Sequence, residues 1–161
     1  MLEIKQISAE KGRGAFATRD IKAGEILDVA HVVIITAKEF EYIEKTVLNN
    51  YTFDWGDPDD PSVKTLAIAM SPCEFCNHSY APNACYKNDY VHKAIIFTAI
   101  KDIKKGEEIT VNYNGKPDDM SPLWFPVKET PPHPQPSHNM APARSGPVSQ
   151  KNNDESCPVV A

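Results

Sequence analysis

Asn77-His78-Ser79-Tyr80-Ala81-Pro82-Asn83-Ala84 is the stretch on which the reading of this 161-residue chain turns. Its amide and imidazole stand side by side and can serve a heteroaromatic base or neighbouring backbone. A lone histidine there is equally at home as a buried, satisfied residue. The flanking sequence reads as short strands broken by turns. Leu66–Met70 precedes the stretch, and Ala84–Lys87 and Ile95–Ile100 follow it. A turn, Asp102-Ile103-Lys104-Lys105-Gly106, leads into a predicted strand over Glu108–Tyr113. Toward the N-terminus, Leu2, Ile4 and Ile7 predict a first strand and Ala15–Thr18 a second. The Val- and Ile-rich run Ile26–Ile35 predicts a third. Between Lys38 and Asn50, Phe40, Ile43, Val47 and Leu48 recur at helical spacing, which predicts one amphipathic helix. The pattern is mostly β with no βαβ alternation, so a doubly wound nucleotide fold is not expected.

Composition limits the function classes. Acidic residues number 22 against 17 basic ones, a formal charge of −5. That balance opposes direct nucleic-acid binding, which needs clustered Lys and Arg, and is compatible with a basic peptide substrate. No apolar run approaches the roughly 20 residues needed to span a bilayer, and the N-terminus lacks the apolar stretch of a signal peptide. Four cysteines do not form a secreted-type framework, so an intracellular protein with buried free thiols is expected. Eight of the 14 prolines lie beyond Phe125, where Ser, Asn, Gln and Ala replace any apolar period. Such a segment cannot bury enough surface to offset its ordering entropy. The expected organisation is a domain over residues 1–126 and a Pro-rich flexible tail over 127–161. The motif Asp-Ile-Lys-x-Gly-Glu occurs twice, at Asp20–Glu25 and Asp102–Glu107.

Two further segments carry candidate chemistry. In Lys11-Gly12-Arg13-Gly14-Ala15-Phe16-Ala17 the glycines leave backbone groups open to close approach by a ligand, although a plain glycine turn would look the same. In Glu107-Glu108-Ile109-Thr110-Val111-Asn112-Tyr113 strand alternation puts Ile109, Val111 and Tyr113 on one face, with the phenol ending the row.

Taken in order and at this spacing, the glycine segment, the Asn-His-Ser-x-x-Pro-Asn segment and the Glu-Glu-Ile-Thr-x-x-Tyr segment resemble the SET-domain family of protein-lysine methyltransferases. The resemblance covers about residues 3–125. It implies small β-sheets in a β-clip-like arrangement, with a C-terminal pseudoknot that brings Asn77, His78 and Tyr113 together. It implies S-adenosyl-L-methionine as cofactor, contacted by Arg13, Gly14, Ala15 and Phe16 and held by Asn77 and His78. Trp124 matches the aromatic that closes over the cofactor. Tyr113 matches the catalytic tyrosine, and Tyr51 a second channel tyrosine. Val111 stands where some members carry an aromatic residue, and Tyr86, eight residues after His78, matches a position that restricts methylation; a mono-methyl bias is expected. Leu66, Ala67, Ile68, Ala69 and Met70 resemble the strand along which a substrate peptide is laid by edge pairing.

The expected substrate is a basic protein, a histone tail or another chromatin or nucleoid protein. The site of action is the nucleus in a eukaryote and otherwise the cytoplasm or nucleoid. No metal site is expected. Cys73, Cys76, His78 and Cys85 have partly ligand-like spacing, but His78 already has a cofactor role. The Asp57–Pro61 loop lacks the spacing of a calcium loop. The rival readings are a SET domain without catalysis and a β-clip binding module, suggested by Thr18–Glu25. The latter leaves the other two segments unexplained.

Overall fold

The computed structural model describes residues 1–9, 11–57, 59–60, 62–63, 65–127 and 157. Most of the expected Pro-rich tail therefore lies outside the described residues. Strands β1 (Leu2–Ser8) and β2 (Gly12–Ala17) form an antiparallel pair. A second sheet is built from β3 (Ile26–Ile35), β4 (Phe53–Asp54), β5 (Leu66–Ala69), β7 (Ala84–Asp89) and β8 (Ala94–Ala99), in the order β4-β5-β3-β8-β7. The third is a short parallel pair, β6 (Asn77–His78) with β9 (Thr110–Val111).

Alternation explains the core. Ala15, Ala17, Leu27, Ala30, Ala67, Ala69, Tyr86, Ile95, Phe97, Ala99, Ile109 and Val111 point into one cluster that links the sheets. Small residues on β2, β5 and β8 let the sheets approach closely, and Phe53 and Phe97 fill the space between them in edge contact. Ile21 and Ile103, the second residues of the two Asp-Ile-Lys-x-Gly-Glu motifs, are buried and pair through mutual backbone hydrogen bonds of 2.8 and 2.9 Å.

Three expectations need correction. The predicted helix over 38–50 is two pieces, α1 (Ala37–Ile43) and a 3-10 helix over Val47–Tyr51. Thr36 and Glu39 form a capping box at the first start, and Thr46 caps the second. Val47 and Leu48 are exposed, so the helical spacing had no core to bury it. The strand predicted over Glu108–Tyr113 keeps strand form only at Thr110–Val111, with an isolated bridge from Glu108 to Phe16. Beyond Val111 the side chain of Asn112, itself buried, accepts from Asn114 N and bends the chain. Cys85 is not a free thiol. It is disulfide-bonded to Cys157, 72 residues on, while Cys73 and Cys76 are free and buried.

Candidate active site

The pairing of β6 with β9 brings the distant motifs together. Ser79 N donates to Val111 O at 2.9 Å, continuing the parallel pair. Asn83, buried, acts as a clamp: its amide donates to Glu108 O at 2.8 Å and its carbonyl accepts Thr110 N at 2.9 Å. Five residues past β6, then, one asparagine supplies both a donor and an acceptor to a strand too short to hold itself. The chain then bends at Asn112. Its amide, with those of Asn114 and the Tyr80 hydroxyl, holds backbone carbonyls of Asp119 and Ser121. The C-terminal segment is thereby tied across the loop that carries His78.

Tyr113 emerges from this crossing with its position fixed at both ends. Its N–H donates to His78 Nδ1 at 3.1 Å, and its hydroxyl donates to Cys76 O at 3.0 Å. The imidazole also packs at 4.4 Å against Tyr80 and 5.4 Å against Tyr113. Burial, reinforced by the neighbouring acidic groups Cys76, Glu74 and Glu108, pushes the Tyr113 hydroxyl above its ordinary pKa. The phenol is therefore neutral at physiological pH and acts as a hydrogen-bond donor rather than a base.

A cavity of about 400 Å³ opens beside it, lined by Lys11, Gly12, Arg13, Asn50, Tyr51, Glu74, Phe75, Cys76, Asn77, Tyr113, Trp124 and Phe125. Trp124 stacks on Tyr113 at 6.2 Å, and Phe125 meets Trp124 edge-on at 4.8 Å, so the two aromatics form one flank. Tyr51 meets Phe75 edge-on at 5.8 Å. Asn77 is fixed by donating to Arg13 O at 3.1 Å and Glu108 Oε1 at 2.7 Å. Gly14 permits that approach: a Cβ there would lie 2.7 Å from Ile7 Cδ1, 2.9 Å from Glu108 Oε1 and 3.0 Å from Asn77 Nδ2. Gly12 differs, with φ of +73° and nothing within 4 Å of where a Cβ would be.

Of the residues singled out in the sequence, the structure puts Arg13, Asn77, Tyr51, Tyr113 and Trp124 in the cavity wall. Others fall elsewhere. Ala15 and Phe16 sit inside β2, where one edge pairs with β1 and the other with the 107–109 segment; Ala15 O accepts Ile109 N at 2.8 Å. Their backbone is committed, and the wall is supplied by Lys11–Arg13 instead of Ala15–Phe16. Gly14 acts by making room. His78 supports Tyr113 from behind the wall. Tyr86 lies in the core, edge-on to Phe53 at 5.2 Å, and its buried hydroxyl has no hydrogen-bond partner. Leu66 and Ala67 are paired on both sides, with β3 and β4, so they offer no free edge for the expected peptide. Only Ile68–Met70 lie beyond β4, and there Ala69 N already donates to Glu74 at 2.8 Å.

Sequence reasoning missed Glu74, Phe75, Cys76, Asn50 and Phe125 as wall residues. Cys73 and Cys76 are the buried free thiols expected of this segment, but its place in the cavity wall has no sequence signal. The segment forms a 3-10 helix, Pro72–Phe75, capped by Ser71 and leading into β6.

A family model described as SET domain matches residues 12–114. The chain belongs to the SET-domain family. A histone-lysine N-methyltransferase of Schizosaccharomyces pombe, specific for H3 lysine-37, is 30% identical over 125 residues, covering 77% of this chain and 76% of that protein. Trithorax of Drosophila melanogaster, also a histone-lysine N-methyltransferase, is 35% identical over 109 residues, covering 63% of this chain and 3% of its own length. Among solved structures, the Neurospora SET-domain histone lysine methyltransferase DIM-5 superposes with a TM-score of 0.54 at 28% identity, covering 76% of this chain and 55% of that one. Polycomb repressive complex 2 of Chaetomium thermophilum gives 0.57 at 26% identity, covering 70% and 15%. The crossing at β6 and β9 is the pseudoknot of this fold, and the SET domain here is a protein-lysine methyltransferase.

Proposed function

We propose that this SET domain transfers methyl groups from S-adenosylmethionine to a lysine of a histone tail. The observation that carries the reading is the meeting of the glycine segment, Asn77, the fixed Tyr113 hydroxyl and the Trp124 ring around one cavity of about 400 Å³. That volume falls within the roughly 300–1,000 Å³ usual for small-molecule sites. The residues fit the cofactor. Gly12 leaves open space at the wall for close approach. Lys11 and Arg13 supply cations for a carboxylate, and Trp124 and Phe125 supply an apolar flank. When bound, S-adenosylmethionine supplies an electrophilic methyl carbon on a sulfonium.

The chain's own residues do the positioning. Tyr113, held by His78 Nδ1 and Cys76 O, presents a neutral phenol beside the reacting centre, with Tyr51 on the same wall. Burial of the lysine amine disfavours its ammonium form, so the proton is lost to water before attack. Orientation in a narrow site then supplies much of the acceleration. Tyr86, in the core with a buried hydroxyl that has no hydrogen-bond partner, is the group through which we propose a bias toward mono-methylation. The acidic surface of the domain favours a basic partner. Its place of action is chromatin, in the nucleus of a eukaryotic source.

The test is transfer of label from tritiated S-adenosylmethionine to histones and to unrelated basic proteins. Label on histones is expected, and Tyr113→Phe should reduce it by ~100-fold or more while the thermal midpoint holds. Cofactor binding without transfer to any protein would favour a SET domain without catalysis. Transfer to other basic proteins alone would overturn the histone assignment.

A further inference from the structure

One wall residue is out of character with its surroundings. Glu74 lies between two buried cysteines, Cys73 and Cys76, at the end of a 3-10 helix. Its Oε2 accepts the Ala69 N–H at 2.8 Å, while its Oε1 is buried without a partner. A structural carboxylate would spend both oxygens, because an unsatisfied buried acceptor is costly. Across Phe75 stands the opposite charge: the Arg13 guanidinium rests on the Phe75 ring at 4.3 Å, and Lys11 lines the same cavity. Lys11, Arg13 and Glu74 are the cavity's only Lys, Arg, Asp or Glu side chains among the described residues, and no ion pair joins them. The hollow thus holds two cations and a carboxyl in its wall, not paired with one another. That layout fits a ligand carrying both charges on one carbon, an α-amino acid.

We infer that Glu74 is the acceptor for the α-ammonium of the methyl donor's amino-acid end, with Lys11 and Arg13 facing its carboxylate. The inference rests on the donor proposed above and makes Glu74 a specificity residue for it. Pinning by Ala69 fixes one oxygen and leaves the other for the ligand. Desolvation raises the Glu74 carboxyl to about 8, so the free protein carries it protonated at pH 7. Cys76 and Tyr113 couple electrostatically to Glu74 and to Glu108, Cys73 adjoins it in the chain, and Tyr51, Lys11 and Arg13 line the same cavity. Binding an ammonium stabilises the carboxylate, so Glu74 gives up its proton when the ligand arrives.

The experiment is calorimetric titration of the full chain at pH 7, in buffers of different ionisation enthalpy. The probes are S-adenosylmethionine, S-adenosylhomocysteine and 5′-methylthioadenosine, the last lacking the amino-acid end. The wild-type chain should release most of one proton with the first two and none with the third. Glu74→Gln, which keeps an acceptor for Ala69, should abolish the release. It should also weaken S-adenosylhomocysteine by ~10-fold or more, leaving methylthioadenosine as it was. Absence of proton release in the wild-type chain, or equal weakening of all three ligands in the variant, would overturn the role of Glu74 and leave the proposed cofactor standing. Failure of the wild-type chain to bind any of the three would sink the cofactor and this role together.

Discussion

Two polar regions of the molecule are built on opposite rules. In the clasp formed by the two Asp-Ile-Lys-x-Gly-Glu turns, every carboxylate is answered. Asp20 accepts from Lys105 N and Lys104 Nζ, and Asp102 accepts from Ala23 N and Lys22 Nζ. Glu25 and Glu107 each close their own turn on the backbone of Lys22 and Lys104. Gly24 and Gly106 make those turns possible with φ of +88° and +84°. The result is a reciprocal, exposed and satisfied lock between the two halves of the domain. In the cavity wall and the core behind the sheets the opposite holds: Glu74 and Tyr86 keep buried oxygens without partners. Satisfied polar groups mark the scaffold, and polar groups left over in its interior mark where a ligand completes it.

The contrast is broken most sharply by Asn83→Ala, because Asn83 belongs to the satisfied class but supports the site. The change strands the Thr110 N–H and Glu108 carbonyl, and should cost about 2–4 kcal/mol in denaturant unfolding, with methyl transfer lost in the same variant. Gly14→Ala comes next. A methyl group 2.7–3.0 Å from Ile7, Glu108 and Asn77 forces these side-chain ends to shift, and with them the Glu108–Asn77 hydrogen bond, at about 1–3 kcal/mol of overpacking. Donor affinity should fall in equilibrium binding even where folding survives.

The smallest effects sharpen the comparison through pH. Clasp carboxylates lie below their ordinary values: Asp20 through the Lys105 N–H and the Lys104 ammonium, Asp102 through its bonds to Lys22 and Ala23. Their contribution is present above the unfolded value of 3.8 and is lost as pH falls through the folded one. Asp102→Asn should therefore flatten the acid limb of thermal midpoint against pH. Glu74 works with the other sign. Its folded value of about 8 exceeds the ordinary 4.5, so the native state holds a proton that the unfolded chain releases, and stability falls as pH rises between the two. Glu74→Gln should shrink the difference in thermal midpoint between pH 5 and pH 8. An unchanged difference would show that the carboxyl is not protonated in the native state.

Much of the fold was legible. Ile26–Ile35 is a strand with those same bounds, because a Val- and Ile-rich run with turn residues at its start has few other options. The three site motifs were also readable, since each keeps unusual residues at fixed spacing. What misled was local pattern without knowledge of its surroundings. Phe40, Ile43, Val47 and Leu48 have helical spacing, but the capping of Thr46 splits them and two remain exposed. Ala15 and Phe16 carried the right motif, but their hydrogen bonds were taken by neighbours distant in sequence.

Alternation, turn residues and motif spacing, all properties of a few adjacent positions, determined the strands, the family and the identities of Asn77, His78 and Tyr113. Tertiary structure alone decided which of those side chains face the cavity. A parallel pair of two-residue strands has no sequence signature; it exists because Asn83 and the Asn112 bend hold segments some thirty residues apart in register. Glu74 was invisible for the same reason. A carboxylate becomes a ligand group only when folding strips its water and leaves one oxygen unanswered, and that depends on neighbours brought in from elsewhere in the chain.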